Sequence, residues 1–130
     1  MMTEPGGANL NSKTVDILVS FAGTEPVFEE SVTPAEKCVS GRPLQRTWNH
    51  FTSADGKFFA GIWEGERGCW RVGYTENEFF EILSGHSVLR DANGAERQLR
   101  AGDRVVIPAG FEGEWEVVEL TRKVYVIYQP

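Results

Sequence analysis

The chain has 130 residues, 41% of them hydrophobic, and its 13 basic against 19 acidic residues leave a net charge of −6. That length suits one domain that buries about two-thirds of its unfolded surface, so no disulfide or metal is required to hold a core. Its acidity sets aside nucleic acid and anionic membrane surfaces as partners. In chain order, residues 1–12 mix Gly, Pro and Asn and read as a loose tail with no signal-peptide pattern. Val15 to Phe21 is apolar and is expected to pair as a strand. Thr33-Pro34-Ala35-Glu36 has the spacing of a capping box and predicts one helical turn, ended by Gly41 and Pro43. From Trp48 onward the chain turns into short segments rich in β-branched and aromatic residues: FFAGIWE, CWRVGY, EFFEIL, HSVLR, RVVIP, WEVVEL and KVYVIY. Asp55-Gly56, Gly65 to Gly68, Asn77 and Asn93-Gly94 separate them, the last as the residue pair of a type I′ hairpin.

These spacings predict an all-β, single-domain antiparallel barrel or jelly roll over residues 44–130, with an N-terminal extension over residues 1–43. Cys38 and Cys69 have neither framework nor CxxC spacing. A reducing, cytoplasmic compartment is therefore the expected one, and no apolar run reaches the roughly 18 residues of a membrane-spanning helix.

One motif is specific. Glu78 is followed after six residues by Gly85, and later comes Gly102-Asp103, four residues, then Pro108-Ala109-Gly110. Two glycines and a proline at fixed offsets turn the chain into a strand and fold it back out. With ENEFFEILSGHSVL, AGDRVVIPAGFEGEW and the late TRKVY, the chain resembles the cupin superfamily. Within it, the resemblance is to the subfamily that includes the ureidoglycine aminohydrolase domains and the ethanolamine-utilisation cupins. It covers roughly residues 44–128 and implies a jelly-roll barrel.

The same resemblance implies a metal site of three histidines and a glutamate, but the positions matching those histidines hold Val72, Tyr74 and Gly113, leaving Glu78 alone. One carboxylate is a poor transition-metal site, so the expectation is no metal and no cofactor. His50 precedes the first confident strand, and alternation sets His86 with Val88 and Arg90. Cys69 reads as a small buried hydrophobe.

Taking Glu78 as inward, as the resemblance implies, strand alternation brings Phe80 and Ile82 inward with it. It does the same for Trp70, Val72 and Tyr74 on the preceding strand, and for Val105 and Ile107 on a later one. Trp115 and the Gly61 and Trp63 face should complete an aromatic cup. Lys123 shares a face with Tyr125 and Ile127, and if that face is interior Lys123 pairs with Glu78. Glu112, Glu114 and Glu116 read as a solvated strand face. The candidate ligand-binding residues are Trp63, Val72, Tyr74, Glu78, Trp115 and Lys123, with Glu78, Lys123 and Tyr74 as candidate acid–base groups. Three readings stay open: a cup for a small-molecule ligand, an aminohydrolase-like enzyme of nitrogen or small-acid metabolism, and a structural module with a vestigial pocket. A homodimer is expected, formed through the Val15 to Phe21 segment.

Overall fold

The computed structural model describes residues 14–130, so the tail expected over residues 1–12 lies outside the described residues. Nine strands follow one another: β1 Val27–Val32, β2 Cys38–Ser40, β3 Leu44–Thr52, β4 Phe58–Gly65, β5 Gly68–Gly73, β6 Asn77–Asp91, β7 Glu96–Arg100, β8 Arg104–Ile107 and β9 Glu112–Tyr128. Three-residue 3-10 turns stand at Val15–Ile17, Phe21–Gly23 and Ala35–Lys37. All strand pairs are antiparallel. Among the described residues, no helix is long and apolar enough to cross a membrane.

Two long strands make the roll. The segments EFFEIL and HSVLR fuse into β6, and WEVVEL and KVYVIY fuse into β9. The far half of β9 pairs with β4 and with the near half of β6, which in turn pairs with β8. With β3 and β1 beyond β4, these form one sheet. The near half of β9 pairs with β5 and the far half of β6, and β2 and β7 flank them in the second sheet. Register shifts between Ile82 and Ser87 bend β6 from one sheet into the other, as bulges do where a sheet turns a corner. The inner faces enclose the core, which includes Trp63, Trp70, Phe80, Ile82, Leu99, Ile107, Trp115 and Tyr125.

The N-terminal part departs from expectation. Residues 27–40 join the sheets, β1 against β3 and β2 against β5. Val15 to Phe21 is no strand. Thr14 accepts the Asp16 amide hydrogen through its side chain and closes a local turn instead, a competition that short hydroxyl side chains commonly win. The turn after Thr33 is 3-10 rather than α, and Thr33 does not cap it. Its hydroxyl, buried, donates to the Pro43 carbonyl at 2.8 Å. The Asn93-Gly94 hairpin is not type I′, because only Gly94 takes a positive φ, +84°. The Asp91 carboxylate accepts the amides of Asn93 and Ala95 and holds a type I turn with Gly94 as its bulge.

Candidate functional site

Alternation along β4, β5, β6 and β9 aims aromatic side chains into one end of the roll, where a cavity of about 780 Å³ opens. That size accommodates a small ligand. At its floor Lys123 Nζ lies 2.9 Å from Glu78 Oε2, and both side chains are nearly sealed, at 7% and 5% exposure. The pair meets because Glu78 and Lys123 stand on adjacent, directly paired strands: Glu78 is opposite Ile127 and Lys123 opposite Ile82. Three rings surround the ammonium: Trp115 at 4.5 Å, Phe80 at 4.7 Å and Trp63 at 4.9 Å from their centroids. Ring faces carry negative potential and hold a desolvated cation by cation–π attraction. The second Glu78 oxygen has no partner among the described residues, and Glu78 lines the cavity.

Hydrogen bonds fix the rings. Trp115 donates its indole hydrogen to Ser87 Oγ at 3.1 Å, Ser87 bonds Thr121 Oγ1 at 2.6 Å, and Thr121 donates onward to the Glu119 carbonyl at 2.8 Å. With Thr121 donating onward, the Ser87 hydroxyl supplies the hydrogen between them, so each donor of this three-residue relay is used. Trp63 donates to Gln45 Oε1, and the Gln45 amide donates to Thr33 Oγ1. Tyr125 donates to Asn49 Oδ1 at 2.7 Å. Burial, with the Glu78 carboxylate beside it, pushes the Tyr125 phenol up to about 12.

Tyr74 is set by the loop after β8. Its amide donates to the Phe111 carbonyl and its carbonyl accepts from Gly110, the last glycine of the motif. Its phenol has no partner among the described residues and lines the cavity. Burial, reinforced by Glu78 and Glu76, lifts it far above the ordinary tyrosine range. It is a neutral hydroxyl, a donor rather than a phenolate. Val72 is half-buried against the core.

All six expected ligand-binding side chains, Trp63, Val72, Tyr74, Glu78, Trp115 and Lys123, therefore line one cavity. Sequence reasoning missed its opposite wall, where Gln45, Thr47 and Asn49 point inward from β3 and Glu29 from β1, with Thr33 and Lys37 also lining the cavity. The Gln-x-Thr-x-Asn alternation was the available signal, and polar residues at inward positions disguised it. Glu114 and Glu116 lie on the outer face, paired with Arg90 at 3.5 and 2.5 Å. Cys69 is buried, and burial together with Glu114 raises its thiol.

The donor set does not fit a metal of the expected histidine-rich kind. Val72, Tyr74 and Gly113 offer no imidazole, and the charged partner of Glu78 is an ammonium. His50 stacks on Phe21, centroids 4.4 Å apart, and His86 bonds Gln98. No group of three or more His, Cys, Asp or Glu side chains among the described residues could hold an ion. Gly113 is excluded as a ligand position for a steric reason too. A Cβ there would run into the Arg90 carbonyl across the strand pair.

The EutQ-like cupin domain model matches residues 52–125. Among solved structures, 78% of the chain superposes on 44% of a DUF861-family protein of unknown function from Pseudomonas syringae pv. tomato, with TM-score 0.70 and 22% identity. The chain thus spans less than half of that protein's length. The EutQ protein of Clostridium difficile matches over 82% of this chain and 97% of its own, with TM-score 0.62 and 16% identity. A putative ethanolamine utilization protein of Salmonella typhimurium matches over the same shares, with TM-score 0.61 and 18% identity. At these identities the structural likeness is one of fold. No curated protein matches the chain in sequence.

Proposed function

We propose, because the chain belongs to the EutQ-like cupin domain family, that its barrel binds a small molecule in the aromatic cup without a histidine-rich metal centre. The observation that carries this reading is the Glu78–Lys123 pair, nearly sealed and held at 2.9 Å under three rings with one carboxylate oxygen left to the cavity. A buried ion pair contributes little net stability compared with apolar packing. One placed at the floor of an open cup is explained by what it contacts there. The ligand presents a hydrogen-bond donor to the free Glu78 oxygen and an acceptor to Tyr74 or Lys123. Trp63, Trp115 and Val72 take its apolar body.

The test uses the fluorescence of the cup tryptophans. A panel of small amides, carboxylic acids, amines and polyols is titrated into wild type, Glu78→Gln and Lys123→Met. Saturable quenching that weakens about tenfold or more in both variants, the loss of roughly one charge-assisted hydrogen bond, supports the reading. Compounds that bind all three proteins alike, or a panel with no binder, would sink it.

Acid–base chemistry on the bound molecule is the second reading, in the manner of the aminohydrolases the sequence resembles. It draws on a carboxylate and a neutral phenol lining one cup. A compound consumed by wild type and merely bound by Glu78→Gln would favour it.

A further inference from the structure

The charges and hydrogen bonds around the cup restrict the kind of molecule it takes. Among the described residues three acids, Glu29, Glu76 and Glu78, and three bases, Lys37, Arg71 and Lys123, line it. The floor is balanced by itself, because Glu78 and Lys123 meet at 2.9 Å. An anion would face the Glu78 oxygen that Lys123 leaves free. A cation would add a second positive charge to a carboxylate that Lys123 already balances, beside an ammonium that already holds the three rings. Either one brings like charges together at a nearly sealed site, where repulsion is least screened.

Free polar groups stand on three walls. Register sets Glu29, Thr47, Trp63 and Lys123 in one row across β1, β3, β4 and β9, and Asn49, Gly61 and Tyr125 in the next. Two glycines let the rings lie along the sheet. A Cβ on Gly65 would run into the Trp63 ring, and one on Gly61 into the Tyr125 hydroxyl. Trp63 and Tyr125 thus reach sideways and donate to Gln45 and Asn49 on β3. These bonds fix both amide oxygens, and each oxygen keeps a second lone pair. Both Asn49 amide hydrogens go to the Phe51 carbonyl and Thr52 Oγ1, and one from Gln45 goes to Thr33. The Thr47 hydroxyl, the Tyr74 hydroxyl and the Trp70 indole line the cavity with no partner among the described residues. Unmatched groups therefore stand on β3, on β5 with the segment after it, and on β6, where Glu78 is.

We infer that the ligand of this cup is an uncharged polyol, a small molecule of the monosaccharide kind with hydroxyls all around its rim; the inference rests on the binding reading above and specifies its ligand class. A hydroxyl both donates and accepts, so one type of group satisfies the Glu78 oxygen, the β3 amide oxygens and Tyr74 alike. A simple acid, amine or amide carries its polar atoms at one end. It would match one wall and leave polar groups on the other two desolvated without partners, which weakens binding. The C–H groups of a polyol ring meet Val72 and the exposed edge of Trp63, and a cavity of about 780 Å³ admits a ring of that size.

Tryptophan fluorescence of the full chain tests it by titration with glycerol, sorbitol, myo-inositol and D-glucose, and with cyclohexanol, acetate, propylamine and acetamide. One of the polyols should saturate the cup at least roughly tenfold more tightly than any compound of the second set. Thr47→Val and Tyr74→Phe each remove a hydroxyl with little change of shape. Each should weaken that polyol about fivefold to tenfold, the loss of one hydrogen bond. Near-ultraviolet circular dichroism should show both variants folded as wild type. Tightest binding by acetate, propylamine or acetamide, weakened in Glu78→Gln, overturns this inference and leaves the binding reading standing. Cyclohexanol bound as tightly as myo-inositol overturns it too, since one hydroxyl then suffices. So does a polyol that binds both hydroxyl variants as it binds wild type. No binding by any of the compounds overturns the inference and the binding reading together.

Discussion

Replacing Lys123 by Met keeps the length of the side chain and removes its charge, which leaves Glu78 as a nearly sealed carboxylate with 5% exposure. At 2.9 Å the two charges attract by about 6 kcal/mol at an effective dielectric of 20. Desolvation of both ions consumes most of that, so the pair adds little net stability. Removing one partner does not recover the cost of burying the other, and breaking such a pair typically costs about 3–5 kcal/mol. The three rings at 4.5 to 4.9 Å add to the loss, at about 0.5–2 kcal/mol for a desolvated cation–π contact. We therefore expect Lys123→Met to lose about 3–5 kcal/mol at pH 7. Glu78→Gln should lose less, because the ammonium keeps its rings. The double variant should regain much of the Lys123→Met loss. Urea denaturation of the four proteins gives the coupling energy, expected to be about 2 kcal/mol or more. A coupling indistinguishable from zero would refute the claim that these groups depend on each other, and would remove Lys123 from the site.

Thr121→Val strands the Ser87 hydroxyl beneath Trp115 and should cost about 1–3 kcal/mol by urea denaturation; Thr121→Ser should restore the stability. Tyr74 and Tyr125 ionise above the unfolded tyrosine value of about 10. Stability should be fully present below that pH and fall as pH rises through about 12, where Tyr125 ionises in the fold. Ultraviolet difference spectra should then show the more deeply buried Tyr74 phenolate appearing with unfolding rather than before it. Gly113→His should fail to create a metal site and should unfold the protein at a lower temperature than wild type, since its Cβ meets the Arg90 carbonyl. A melting temperature raised by zinc in that variant would contradict the geometry. Dialysis of wild type against a chelator should leave its melting temperature unchanged.

Much of the cup was legible because strand alternation is strict. Once Glu78 is inward, Phe80 and Ile82 follow, and the same parity on β9 sends Trp115 and Lys123 inward from the two ends of a 17-residue strand. The pairing of Glu78 with Lys123 needed one further fact, that β6 and β9 are neighbours, which the sheet register supplies. What escaped were the places where burial and polarity part company. Gln45, Thr47 and Asn49 face the cavity as a polar wall, so β3 looked solvated along its first half. β1 hides in the same way, with Glu29 turned inward and Phe28 outward. Ala60 and Ile62, Val124 and Val126, and Phe79 alternate with the inward residues and give β4, the far half of β9 and the near half of β6 apolar residues on both faces, a pattern that blurs alternation. The Val15 to Phe21 segment was misread for a local reason, because a single hydrogen bond from the Asp16 amide to the Thr14 side chain outweighs composition in so short a stretch.

The central claim is that Glu78 and Lys123 anchor a molecule inside the roll. A crystal structure of the protein soaked with the tightest-binding compound of the fluorescence panel tests this most directly. The account predicts the compound in the cavity against the exposed edges of Trp63 and Trp115, with a polar hydrogen on the Glu78 oxygen that Lys123 leaves free. A compound seated on the outer sheet, or a cup closed by its own tryptophans while the compound binds elsewhere, would contradict it.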